Sequence, residues 1–161
     1  MKEISEAIAQ REAGNLTEAN KQLVKLAAAN PDHAETNYQC AWSFDVLGQE
    51  RAAVPYYERA IALGLPEEQA EGAYLGLGST YRTLGEYEKA EKTLRNAIEL
   101  FPNNNSLLVF YAMVQYNRNQ YGEAMQILLK LLAETSSDEE IRAYQKAIHF
   151  YADNLDTVWN K

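Results

Sequence analysis

The stretch Glu71–Asn104, EGAYLGLGSTYRTLGEYEKAEKTLRNAIELFPNN, decides the fold. Tyr74, Leu77, Gly78 and Tyr81 stand at i, i+3, i+4 and i+7, one stripe of a 3.6-residue helix. Gly85 breaks that pattern, and a second stripe follows through Tyr87, Ala90, Leu94, Ala97 and Ile98 before Pro102 closes the unit. Small and large residues alternate between the two halves. Gly78 and Ala90 lack bulk, so two antiparallel helices can approach closely, while Tyr74, Tyr81 and Leu94 fill the space beside them.

The same punctuation recurs along the chain. Gly14, Gly48 and Gly85 each stand where a first helix must end, and Asn119 takes that place in a fourth unit. Glycine and asparagine share a tolerance for the left-handed backbone that commonly ends a helix. Five residues after each comes an alanine (Ala19, Ala53, Ala90, Ala124), and four residues beyond that a large residue (Leu23, Tyr57, Leu94, Leu128). The alanines are spaced 34, 37 and 34 residues apart. A period of this length signals stacked helical hairpins, none of which can bury its apolar face alone.

The units therefore run about 2–30, 34–63, 66–101 and 105–135, within one domain covering 1–161. The first is degenerate: its opening helix, Lys2 to about Ala13, offers Ile4, Ala7 and Ile8 but no aromatic residue, as expected of a terminal repeat. In the second, Tyr38, Ala41, Trp42 and Phe44 face Ala53, Tyr57, Ala60 and Ile61, with Pro55 in the first turn of its helix or just past it. The three extra residues of the longer spacing fall in GLPEEQA, where Gly64 can end one helix and Pro66 open the next. The fourth unit has Leu108, Tyr111, Ala112, Leu128, Leu131 and Leu132 as its expected core. Ser137 with Glu140 then reads as a capping box for a final helix over about 138–157, striped by Ile141, Tyr144, Ile148, Tyr151 and Leu155. This helix is expected to cover the open end of the stack, and the tail after Leu155 to fray, although Trp159 is an unusual residue to leave in water.

On these residues the chain resembles the tetratricopeptide repeat family, from the second residue to the capping helix, with the third unit matching best and the first worst. GLGSTYRTLG (76–85) and PYYERAIALGL (55–65) are further similar to a small bacterial group of such proteins without an assigned activity, suggested to pair as dimers. The resemblance implies an all-α, right-handed superhelical solenoid of antiparallel helix pairs, with first helices lining a concave groove that binds peptides or partner helices. One sub-class of the family holds chaperone C-terminal carboxylates through lysines and asparagines on those helices. No lysine stands at the groove positions here, so that clamp is not expected.

Helical spacing assigns the groove. Its partner-binding candidates are Tyr38, Trp42 and Asp45 in unit two; Gly72, Leu75, Gly76, Ser79 and Arg82 in unit three; and Val109, Met113 and Tyr116 in unit four. Glu35 and Ser106 sit at its outer ends. Trp, Tyr and Met are residue types that supply hot spots and adaptable contacts, and some of these also complete the stack against an adjacent helix. Gly72, Gly76, Ser79 and Thr83 form a small-residue lane at i, i+4, i+7 and i+11, costing roughly 1 kcal/mol per glycine in helix stability. Either a partner lies against that lane or a neighbouring unit packs into it. Arg82 could hold a ligand carboxylate; the nearer expectation is a pair with Asp45 one unit away.

Composition narrows the function classes. Hydrophobic residues make up 47% of 161, enough for a continuous core, and the net charge is −8 with no polybasic run. A nucleic-acid partner is disfavoured, since that affinity comes from clustered Lys and Arg. Cys40 is the only cysteine, so no intrachain disulfide can form and a reducing compartment is the default. MKEISEAIAQ lacks an apolar signal core and no run approaches a bilayer span, which reads as a cytoplasmic protein without membrane contact. His33 and His149 are too few for a metal site, and no nucleophile–base pair or phosphate loop is present, so neither a cofactor nor an enzyme is expected. The leading expectation is a non-enzymatic protein–protein interaction module binding a peptide or a partner helix in its concave groove. The alternative is a structural homodimer that buries the capping helix or the groove and acts as a scaffold, motivated by Phe150, Tyr151, Val158 and Trp159.

Overall fold

The computed structural model describes residues 2–160, which form ten helices and no strand among them. α1 (Lys2–Glu12) pairs with α2 (Leu16–Ala29), α3 (Ala34–Asp45) with α4 (Glu50–Leu63), α5 (Glu67–Thr83) with α6 (Tyr87–Leu100), and α7 (Asn105–Asn117) with α8 (Tyr121–Thr135). The outer helices α2, α4 and α6 also pack on the next inner one, and α1, α3, α5 and α7 touch in succession along the inside. The result is the expected all-α right-handed solenoid. Two short helices follow, α9 (Glu139–Ala143) and α10 (Gln145–Ala152).

The turns have one construction repeated four times. Gly14, Gly48, Gly85 and Asn119 sit at φ of +87°, +68°, +76° and +64°, the left-handed region. The next residue's N–H then reaches back to a carbonyl five residues earlier: Asn15 to Gln10, Gln49 to Phe44, Glu86 to Tyr81 and Gln120 to Gln115, at 2.9–3.0 Å. This satisfies carbonyls that a helix end would otherwise orphan. It also sets the angle at which the second helix returns on the first.

Within a unit, the repeat alanines Ala19, Ala53 and Ala90 are wholly buried, and Leu23, Tyr57 and Leu94 are at most 2% exposed. Close approach is enforced by absent Cβ atoms. A methyl at Gly78 would lie 2.5 Å from Leu94 Cγ, and one at Gly76 would lie 2.5 Å from the Tyr57 ring. Full burial of a side chain like Leu94 stabilises the fold by about 1.5–3 kcal/mol. Pro55 is exposed in the second turn of α4, just past the first, so the Arg51 carbonyl that loses its donor belongs to an exposed residue. Pro66 is the N-cap of α5, with Glu67 and Glu68 in the first turn.

The fourth unit and the end depart from expectation. Leu128 and Leu132 are 41% and 43% exposed, while Leu107 and Val114 occupy the core instead. The reason is the final segment, which does not cover them. It breaks at Tyr144, ends at Ala152 and packs along a different face of α8. Its cap is Asp138, whose carboxylate accepts from Ile141 N–H at 3.0 Å, so Ser137 and Glu140 form no capping box. Of the expected stripe, Ile141 and Ile148 are half-buried and Tyr144, Tyr151 and Leu155 exposed. The tail folds back, setting Trp159 5.8 Å from Phe150 and 6.0 Å from Tyr151 between ring centres.

Gly78→Ala adds a helix-favouring methyl where no room exists. It should destabilise the chain by about 1–3 kcal/mol, read as a lower denaturation midpoint. Gly122→Ala, whose methyl would meet nothing within 4 Å, should leave that midpoint unchanged or raise it.

Candidate functional site: two hollows on the inner helices

The groove candidates separate into two hollows. The first, about 480 Å³, is lined by Tyr38, Trp42, Asp45, Gly72, Leu75, Gly76 and Ser79 from the expected set, joined by Val46, Tyr57 and Phe110. The second, about 460 Å³, takes Arg82, Met113 and Tyr116 together with Ala112, Asn117, Tyr121, Ala124, Met125 and Leu128. Val109 is half-buried and lines neither.

In the first hollow the aromatic wall is pre-assembled. Tyr38 and Trp42, one turn apart on α3, stack at 6.0 Å, and Tyr38 lies 6.3 Å from Tyr57. Trp42 keeps 42% of its surface exposed, whereas Tyr38 keeps 9%. The Arg11 guanidinium carbon sits 4.0 Å from the Trp42 ring centre, and its Nη2 donates to Gln39 Oε1 at 2.9 Å. Burial lowers the Arg11 pKa, and the neighbouring ring makes a cation–π partner. No sequence signal pointed to this stack. The small-residue lane is filled from within at two places: a Cβ at Gly72 would lie 2.2 Å from Tyr38 Oη, and Gly76 abuts Tyr57. The glycines thus admit unit-two tyrosines, which leaves Leu75 and Ser79 as the half-buried floor.

Asp45 does not pair with Arg82. Its carboxylate accepts from Tyr57 Oη at 2.6 Å and from Thr80 Oγ1 at 2.9 Å. Burial raises its pKa, the two hydrogen bonds oppose that rise, and Glu50 adds to it. The Tyr57 hydroxyl is in turn held protonated by burial and by the adjacent carboxylate. Arg82 turns the other way, donating from Nη1 to Asn117 Oδ1 at 3.2 Å, with its Nε buried and lacking an acceptor. The two were one repeat apart by spacing, but the Tyr57 and Thr80 hydroxyls occupy the carboxylate and Arg82 is engaged by Asn117.

The second hollow is apolar. Met113, Tyr116, Met125 and Leu128 are 37–61% exposed, and Tyr116 stacks edge-on with Tyr121 at 5.1 Å. Arg82 is its one charged lining residue. Tyr121 and Met125 went unnoticed in the sequence because they belong to an outer helix, which the groove rule does not cover. A larger hollow, about 940 Å³, lies along α4 and α6 and is lined by five charged residues, Glu58, Glu91, Lys92, Arg95 and Glu99, of which Glu91 and Arg95 pair with each other. Cys40 is buried, and burial pushes its thiol up to about 12, so it stays unreactive at neutral pH. His33 caps α3 by accepting from Thr36 N–H at 3.2 Å, and no metal-ligating cluster occurs among the described residues.

Because the folded-state pKa of Asp45 lies above its ordinary value, the native state binds this proton more tightly than the unfolded chain does. The stability it contributes is complete below the ordinary carboxylate range and is lost as pH rises through the raised pKa. Denaturation of wild type and Asp45→Asn across acidic pH should show the wild-type margin shrinking over that window. A margin that grows with pH would mean the carboxylate is instead held below its ordinary range.

Known proteins share this architecture. The family model described as tetratrico peptide repeat matches residues 33–155. BBSome complex member BBS4 of Bos taurus is 27% identical over 153 residues; the match takes in 95% of this chain but only 26% of that protein's length. MamA 41-end from Desulfovibrio magneticus RS-1 superposes with a TM-score of 0.72 at 15% identity, over 93% of this chain and 86% of the other. YrrB, described as a TPR protein with an unusual peptide-binding site, gives 0.64 at 16% identity, over 98% and 92%. At such identities the structural likeness speaks to fold alone. The family match begins at His33, past the degenerate first pair, and spans most of the chain: the chain belongs to the tetratricopeptide repeat family.

Proposed function

We propose that this chain is a non-enzymatic interaction module that captures an extended protein segment along the inner faces of α3, α5 and α7. The observation that carries this reading is the first hollow, where a half-exposed Trp42 stands over a floor of Leu75, Ser79 and Phe110 on three successive inner helices. An apolar hollow with a few polar groups and a rigid aromatic anchor favours a peptide side chain. Family membership supports the broader statement that the chain acts through protein–protein contacts. Of the neighbours, YrrB carries a peptide-binding site by its own description, which accords with this reading. The acidic charge argues against a nucleic-acid partner, and no helix is long and apolar enough to cross a membrane. The proposal places the module in the cytoplasm, without a cofactor.

A homodimer is a second reading, favoured by the cluster of Phe150, Tyr151 and Trp159, each more than half exposed. Light scattering during gel filtration checks it: a dimer should become monomeric on Phe150→Ser with Trp159→Ser.

For the principal reading, a random peptide display library panned on the chain should enrich sequences that share an aromatic or aliphatic anchor. Their affinity should fall about tenfold or more on Trp42→Ala or Leu75→Glu. No enrichment, or enriched peptides indifferent to both substitutions, would remove the concave face as the binding site.

A further inference from the structure

In units one to three the outer helix offers a seat to the next inner helix, and the seat has fixed positions. One residue after the repeat alanine, Asn20 donates from Nδ2 to Ser43 Oγ on α3 at 2.9 Å and Glu91 accepts from Gln115 on α7 at 3.4 Å, while unit two has Val54 there. Five residues after the alanine, Glu58 accepts from Tyr81 Oη on α5 and Arg95 donates to Tyr111 Oη on α7 at 3.4 Å, while unit one has Val24 there. Between them, four residues after it, Leu23, Tyr57 and Leu94 are 0%, 2% and 0% exposed.

In unit four those positions are Met125, Leu129 and Leu128, and the seat is uncovered: Met125 and Leu128 are 50% and 41% exposed. α10 does not take it. Its anchors are Gln126 and Lys130, both 2.6 Å from Asp153 Oδ1, and the Ala133 carbonyl, which accepts from Gln145 at 3.1 Å. Gln126 and Lys130 lie one residue further round α8, about 100° away. In units one to three the position of Gln126 holds the exposed residues Lys21, Pro55 and Lys92.

We propose that the uncovered face of α8 receives an amphipathic helix from a partner protein, docked where a fifth inner helix would lie. Three helices of this chain already occupy the equivalent surface, so the seat is shaped for a helix rather than an extended strand. Its small residues would face Leu128, as Gly76 faces Tyr57. Its face would be more continuously apolar than those of α3, α5 and α7, because Met125 and Leu129 are both apolar, whereas each earlier seat has at least one hydrogen-bonding residue at these two positions. It would carry a carboxylate near its C-terminal end, toward Arg82, the one charged residue lining the adjoining hollow and one whose Nε has no acceptor. A second copy stacked head to tail fits less well, since α1 presents Lys2, Glu3, Glu6 and Gln10 as exposed residues. The proposal does not depend on the first hollow, which Trp42 lines; Trp42 does not line the second.

The test is fluorescence anisotropy with a synthetic amphipathic helix the length of α5, 17 residues. It carries alanines on the seat-facing stripe, flanking leucines and one glutamate in the last turn; a control peptide has lysine in place of that glutamate. The wild-type chain should bind the first peptide saturably. Leu128→Glu, Met125→Glu and the lysine peptide should each weaken binding about tenfold or more, and Trp42→Ala should leave it unchanged. No saturable binding, binding that survives Leu128→Glu, or binding lost on Trp42→Ala would overturn the proposal. So would a chain that is dimeric by light scattering and turns monomeric on Leu128→Glu, because a second copy would then fill the seat.

Discussion

The structure depends on how closely two helices can approach when one of them gives up its side chain. Ala19, Ala53 and Ala90, buried to zero exposure, let the inner and outer helices meet, and Gly78 takes the Leu94 isobutyl group against bare backbone. Because dispersion and hydrophobic burial both fall steeply with a gap of even a methyl group, this spacing is not adjustable. The left-handed residue five positions earlier sets the return angle, so turn and alanine act together. Each hairpin so formed still has an apolar face exposed, and only the next hairpin can cover it.

That same dependence explains the asymmetry between the two ends. At the N-terminal end the unit is small, with Ile4 and Ala7 buried and polar residues outward. At the other end the stacking surface of α8 stays apolar, while α10 is drawn to the neighbouring polar face by Gln126, Lys130 and the Ala133 carbonyl. A short helix of eight residues with exposed Phe150 and Tyr151 makes hydrogen bonds there that the leucine-rich seat could not provide. Exposed apolar surface is therefore concentrated where the repeats stop, beside the hollow that Arg82 borders.

Polar groups inside the stack serve geometry more than charge. Asp45 is held by Tyr57 and Thr80 from two different helices, which fixes α3, α4 and α5 relative to one another at the edge of the first hollow. Asn37 does the same for the loop between units, donating to the carbonyls of Pro31 and His33 at 3.0 and 2.9 Å. The hollow thus rests on a rigid frame, and rigid walls are what allow a half-exposed tryptophan to act as an anchor without the entropic loss of ordering it on contact.

Repeat length, turn positions, the small-large alternation and the fold class were all legible in the residues themselves, because local rules govern them: a positive φ needs Gly or Asn, and a 3.6-residue period needs an apolar stripe. Ten of the eleven groove candidates do line the two hollows for the same reason. What only the tertiary structure decided was competition among neighbours. Asp45 had three potential partners and took the two hydroxyls, Gly72 and Gly76 were claimed by tyrosines of the preceding unit, and α10 chose one face of α8 over another. Such choices turn on which of several similar contacts lies a few ångströms closer in three dimensions, and periodicity along one chain carries no record of that distance.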